Sequence, residues 1–351
     1  MSTADTAPIG LGKTWCSPSV TPATPQDLGP RIPPFSAQPE TIACLPQIPC
    51  EIVMDQAKQD RPRMDNKLFS KLFLSIGAMK AGTTWLYAVL ERHPELHFTP
   101  EKELHYFYHR YVDNRYLNEK RRLKEARDRY LFRYDPEKAN IDRIRANLHW
   151  VSNYLNGPVD DFWYRNLFQL RDHQVWSCDF SNLHAFVPET AWPRISADCE
   201  QLRVLYTMRH PLKRLWSHTK FHLQVTGSFH KLDSWKPDDY EAFVRLPHIW
   251  ENAEYGAVLR RMKAGLKDEE RMVMFYEDLH ADQRGTLRQI EEFLGVAPFQ
   301  YPQPLLNRRF TESAQRPMPD FFPKLFAQDI ERITHEVESE GFSIPNDWQS
   351  L

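Results

Sequence analysis

Residues 72–90, LFLSIGAMKAGTTWLYAVL, restrict what this chain can fold into more than any other stretch. The apolar run 72–76 predicts a buried strand. Residues 84–92 predict a helix with Leu86, Val89 and Leu90 on one face, stopped by His93-Pro94. Between them lies a small-residue turn carrying Lys80. Strand, tight turn and helix N-terminus together make an anion site, because the turn N–H groups and the helix dipole favour negative charge. Gly77 and Gly82 let backbone approach a ligand without a Cβ in the way. Ala81, Gly82, Thr83 and Thr84 are the candidate ligand-binding residues, the threonines adding hydroxyl donors.

The same alternation resumes from residue 202. LRVLYTM predicts a strand, RHPLKRLWSHTKFHLQV a turn and helix, and RMVMFYEDL a further strand with an acidic turn. Residues 283–294 predict a helix ended by Gly295. Strand–helix alternation argues for an α/β fold, a P-loop-like central parallel sheet flanked by helices. Ligands in such sheets bind beyond the carboxyl ends of the strands. Arg209 follows the 202–208 strand and Ser217 lies two turns into the next helix, a guanidinium and a hydroxyl suited to gripping a compact dianion. A Walker A loop, G-x-x-x-x-G-K-[ST], puts its lysine after the second glycine. Here G-A-M-K-A-G-T-T puts Lys80 before it, and the 202–208 strand leads into Arg209 rather than a magnesium-holding aspartate. A P-loop kinase is therefore the weaker reading.

The remaining composition sets bounds. Residues 1–65 are proline-rich and aperiodic, an extended arm that is either inert or packs on the domain or a partner. The catalytic domain is expected over 66–351. Residues 108–170 are charged, helical in period and rich in aromatics, and predict a helical insertion covering the acceptor side. A formal net charge of −2 offers no global field for nucleic acid. No run is long and apolar enough for a transmembrane segment, and no secretory signal is evident. Five scattered cysteines without a CxxC pair speak against a structural metal or disulfide framework. A cytoplasmic setting is expected, with oligomeric state open and a homo-oligomer included.

Taken together, the lysine loop and the segment R-x-P-x-x-R-x-x-S (Arg209, Pro211, Arg214, Ser217) resemble those of sulfotransferases that use 3′-phosphoadenosine-5′-phosphosulfate, PAPS. The resemblance runs from about Lys71 to the C-terminus and is nearest to glycan-type Golgi enzymes and their bacterial relatives. It extends to His93-Pro94, to K-E-x-H-x-F at Lys102, Glu103, His105 and Phe107, and to W-Y-x-x-x-F at Trp163, Tyr164 and Phe168. Tyr276 to Leu279 and Phe293 to Gly295 complete it. The resemblance implies PAPS as co-substrate and 3′-phosphoadenosine-5′-phosphate (PAP) as product, with no metal required. It implies that Lys80 steadies the leaving phosphate and sulfuryl group, and that the lysine loop binds the 5′-phosphosulfate. Arg209 and Ser217 would bind the 3′-phosphate, with a late contribution from Arg308 or Arg309. Trp85 is a candidate for stacking on adenine. Glu103 or His105 would be the general base, and an extended 101–107 would point both the same way. Acceptors in such a family include small molecules, lipids and glycans, at oxygen or nitrogen.

One departure stands out. Many relatives carry K-[ST]-P-x-Y after W-Y-x-x-x-F, where this chain has WSCDFSNL over 176–183. Asp179 or Phe180 stands near the lysine's place, and Asn182 replaces the proline. A catalytically inactive relative that still holds the nucleotide is the alternative this departure leaves open.

Overall fold

The computed structural model describes residues 67–131, 140–310 and 315–349. The proline-rich arm expected over 1–65 lies outside the described residues. The apolar run in the lysine-loop stretch is the central strand of the sheet, β1 (Phe69–Ser75), with Leu72, Phe73 and Leu74 fully buried. Burial of each such side chain stabilises the fold by about 1.5–3 kcal/mol. Four further strands complete it: β2 (Leu96–Phe98), β3 (Trp176–Phe180), β4 (Cys199–Met208) and β5 (Arg271–Phe275). All pairings are parallel, in the order β2-β3-β1-β4-β5. β1 therefore has β3 on one side, with Leu74 opposite Asp179, and β4 on the other, with Leu74 opposite Val204.

Strand alternation sorts side chains into two cores, one per face. Leu72, Leu74, Val204 and Tyr206 join one core, with α7 (Pro211–Val225), the next helix in the chain after α6 (Trp192–Ala197), contributing Leu212, Leu215 and Trp216. Phe73, Leu205, Trp176 and Phe180 join the other, where α1 (Thr83–Leu90) and the helix Gln283–Leu294 pack. That later helix ends at Gly295 in the left-handed region, φ 64°, as its glycine predicts.

Three local expectations differ from what is observed. β3 carries Ser177 and Asp179 among its buried residues, and this polar content hid it from an apolar-run search. The acidic turn expected after the 271–275 strand is the first turn of a helix, Tyr276–Ala281, where Glu277 and Asp278 suit the N-terminal dipole. Residues 101–107 are not extended: they form a turn, and α2 (Tyr106–Tyr111) begins within them.

Beyond α2 come α3 (Glu119–Ala126), α4 (Ile141–Leu155) and α5 (Asp161–Asn166). Their starts are capped by Asn118, Asn140 and Asp160, whose side chains accept main-chain N–H bonds. Buried Arg122 of α3 donates to the carbonyls of Leu117, Tyr154 and Asn156, which locks α3 to the end of α4. Tyr164 of α5 stacks on Tyr106 at 4.4 Å and sends its hydroxyl to Asp179 at the end of β3.

Candidate active site

The loop after β1 stays zipped to β4 beyond the last strand residue. Ala78 N–H donates to the Thr207 carbonyl at 2.7 Å, and Thr207 N–H donates to Gly77 at 2.8 Å. The chain then turns sharply through Lys80, at φ 70°, and Gly82, at φ 87°. A Cβ on Gly82 would sit 3.0 Å from Tyr276 Cδ2, so glycine is needed there for space as well as for φ. Gly82 is the N-cap of α1 and its carbonyl takes the N–H bonds of Trp85 and Leu86. The N–H groups of Gly82, Thr83 and Thr84 thus lie at the open end of the helix. Ala81 and Trp85 are placed otherwise: Ala81 is buried and donates to Ala78 within the loop. Trp85 is buried in the core and its indole N–H bonds the Leu306 carbonyl at 3.0 Å, which ties α1 to the segment carrying Arg308 and Arg309.

Arg209 leaves β4 directly opposite this loop. Its Nη1 donates to the Lys80 carbonyl at 3.3 Å, and its guanidinium carbon lies 4.4 Å from the Tyr276 ring centre. Its buried Nε has no hydrogen-bond partner among the described residues. Two neighbours fix its backbone. Tyr255, a core residue, donates its hydroxyl to the Arg209 carbonyl at 2.7 Å. His210 caps α7 by accepting from Leu212 N–H. Ser217 is buried on α7, and Lys220 lies one turn further along it.

Burial first, then the charges of Arg209, Lys220 and Lys102, push the Lys80 ammonium down to about 8. The Lys80 ammonium also lies 4.4 Å from the Phe221 ring centre. Such crowding of cations is what an anion would relieve. Lys220 was not singled out in the sequence, and Tyr276 was only as part of the segment 276–279, with no role. Lys220 carried a usable signal, its i+3 spacing from Ser217 on one helix face. Arg308 and Arg309 are both exposed, and Arg308 lies over Phe310 at 5.0 Å. After burial, Arg209 and Arg309 both depress His280, which associates Arg309 with the Arg209 end of the site.

Glu103 and His105 sit in the turn before α2, at φ 68° and 58°. They come together with His105 Nε2 3.7 Å from Glu103 Oε2, through a left-handed turn and not through strand alternation. The turn is pinned to the residues after β3. Glu103 N–H donates to the Phe180 carbonyl at 3.0 Å, His105 N–H to Ser181 Oγ at 2.9 Å, and Phe107 N–H to His184 Nε2 at 3.2 Å. Asn182 N–H in turn donates to Glu103 Oε2 at 2.7 Å, and Lys102 pairs with Oε1. Burial, then Arg121 and Lys102, hold His105 well below the usual imidazole range, so it is neutral at pH 7. Lys80, Glu103 and His105 are the three non-glycine residues with positive φ among the described residues. Among those residues no group of three or more His, Cys, Asp or Glu side chains is placed to hold a metal ion, and no helix is long and apolar enough to cross a membrane.

The family described as "Sulfotransferase family" matches residues 73–300. No curated protein matches the sequence. A sulfotransferase from Alicyclobacillus acidocaldarius is similar in fold, with 18% identity, 79% of this chain and 98% of that one covered, and a TM-score of 0.52. The sulfotransferase domain of the Synechococcus PCC 7002 olefin synthase aligns at 18% identity over 82% of this chain and 100% of its own, TM-score 0.44. Mouse sulfotransferase SULT7A1, solved with PAP, aligns at 11% identity over 81% and 88%, TM-score 0.39. With the family match spanning both the lysine loop and the Arg209 segment, the chain belongs to the sulfotransferase family.

Proposed function

We propose that this protein transfers a sulfuryl group from PAPS to a hydroxyl or amine of a small-molecule, lipid or glycan acceptor. The observation that carries the reading is backbone strain. Lys80, Glu103 and His105, singled out from the sequence for chemistry, are also the described non-glycine residues held at positive φ. Each such conformation costs about 1–3 kcal/mol and persists where surrounding structure imposes it, which is a property of functional sites.

The residues fit the nucleotide. The buried, unpartnered Arg209 Nε and the cation-crowded Lys80 both call for an anionic ligand. Lys80 with the N–H groups of Gly82, Thr83 and Thr84 would hold the 5′-phosphosulfate, and Arg209 with Ser217 the 3′-phosphate. Arg309 would add charge at that second end. Bound there, PAPS supplies the activated sulfuryl group. Glu103 takes the acceptor proton, its other oxygen steadied by Lys102. His105, neutral and 3.7 Å from Glu103, orients the acceptor or shares that proton. Lys80 and Lys220 supply positive charge where negative charge develops on the leaving phosphate.

The test is calorimetric titration with PAP, together with transfer of labelled sulfate from PAPS to a panel of alcohols, phenols, glycans and amines. Micromolar PAP binding that is lost in Arg209→Ala, with transfer abolished in Glu103→Gln, is the expected result. A folded wild-type protein that binds no PAP overturns the reading.

A further inference from the structure

The fully buried carboxylate of Asp179 has no part in the chemistry above, yet it lies directly beneath the turn that carries the proposed base. It takes two hydroxyl donors, Ser181 Oγ at 2.6 Å on Oδ1 and Tyr164 Oη at 2.9 Å on Oδ2. Ser181 has a single proton. Because that proton is given to Asp179, the oxygen lone pairs of Ser181 face the other way, and one accepts the His105 N–H at 2.9 Å. A hydroxyl rotates freely unless something fixes it, and a charge-assisted bond to a buried carboxylate is a strong way to do so.

We propose that Asp179 is a positioning residue: acting through Ser181, it fixes the left-handed conformation of His105 and thereby the meeting of His105 with Glu103. Leu74 of the central strand stands opposite Asp179 in the sheet register, so the residue that carries the carboxylate is anchored to the middle of the sheet. Tyr164 of α5 closes the far side, and its stack on Tyr106 couples the same point to the start of α2. Of the two polar residues that break the apolar pattern of β3, Asp179 is thus the one that shapes the turn. The inference rests on the proposed sulfotransfer for its catalytic consequence, but not for its structural one.

The experiment compares Asp179→Asn, Ser181→Ala and the double variant with wild type. Four readouts are taken: hydrogen exchange of residues 102–107, PAP affinity, thermal midpoint, and kcat for labelled-sulfate transfer. Each single variant is expected to speed exchange in 102–107 and lower kcat at least tenfold, with PAP affinity within threefold of wild type. The double variant is expected to be no worse than the singles, because the two residues act in one chain. Unchanged exchange and kcat in Asp179→Asn, or multiplied losses in the double variant, overturn the proposal. So does a general loss of folding with PAP binding lost in proportion, since that marks a purely structural residue. If wild type neither binds PAP nor transfers sulfate, the functional reading fails while the exchange comparison still decides the positioning role.

Discussion

The Arg209 guanidinium donates from Nη1 to the carbonyl oxygen of Lys80 at 3.3 Å, so the two segments proposed to bind the nucleotide's anionic groups are joined directly. Arg209 also heads the charges that, after burial, bring Lys80 down to about 8. In the free protein Lys80 loses its proton as pH rises through 8, and an anion favours the charged form. PAP affinity is therefore expected to hold level below pH 8 and to fall by up to tenfold per pH unit above it. In Lys80→Arg the fall is expected to flatten, because guanidinium does not titrate there. Calorimetry from pH 6.5 to 9.5 reads this directly; a level wild-type profile contradicts it.

Gly82→Ala forces a side chain into φ 87° and brings its Cβ to 3.0 Å from Tyr276. The strain is expected to cost about 1–3 kcal/mol. Because Tyr276 also lies under Arg209 at 4.4 Å, the displacement reaches Arg209. Chemical denaturation should register the stability loss, and PAP affinity should drop at least tenfold.

Tyr255→Phe removes the one side-chain hydroxyl that bonds the Arg209 carbonyl, at 2.7 Å in a buried setting. Leaving that acceptor unsatisfied is expected to cost about 1–3 kcal/mol. PAP affinity should fall with it, since the carbonyl belongs to the residue whose side chain is proposed to hold the 3′-phosphate. Equal affinity in the two proteins would show that the Arg209 backbone needs no such tether.

Asp179 is raised to about 7, mainly by burial and further by Glu103, against the opposing bonds from Ser181 and Tyr164 and the charge of Lys102. His184 Nε2, 4.0 Å away, is itself pushed well below the usual imidazole range and stays neutral. Below pH 7 the folded protein therefore holds a proton that the unfolded chain, with an ordinary value of 3.8, has released, and above it the ionised carboxylate takes the bonds from Ser181 and Tyr164. Between pH 4 and 7 the folded state binds more protons, so this residue's contribution to stability falls as pH rises through that window. Asp179→Asn is expected to remove that part of the slope, measured as denaturation free energy against pH. A slope equal to wild type contradicts the assignment.

Separating the late arginines needs only two single variants. Arg309, which with Arg209 depresses His280, is expected to cost PAP affinity about tenfold when changed to alanine. Arg308, lying over Phe310, is expected to cost little. Equal losses would mean that both reach the nucleotide.

Chemistry confined to one short segment was legible in the sequence. Strand, turn and helix at Lys80, and strand, arginine and helix at Arg209, each lie within a few turns of chain, and apolar runs mark the strands that carry them. Those two segments established the α/β class and the parallel sheet, and they carry the residues proposed to bind an anion at the strand ends. Tertiary structure alone decided the rest. β3 escaped notice because Asp179 and Ser177 interrupt its apolar run, and Asp179 is tolerated because Tyr164 and Ser181 satisfy its carboxylate. The turn that unites Glu103 with His105 depends on bonds to Ser181 and Asn182 that span 76 and 79 residues. No periodicity records contacts of that range, since they follow from which strands lie side by side in the sheet. Tyr276 meets Arg209 for the same reason: β5 lies beside β4, and adjacent strand ends bring together side chains whose spacing along the chain carries no trace of the meeting.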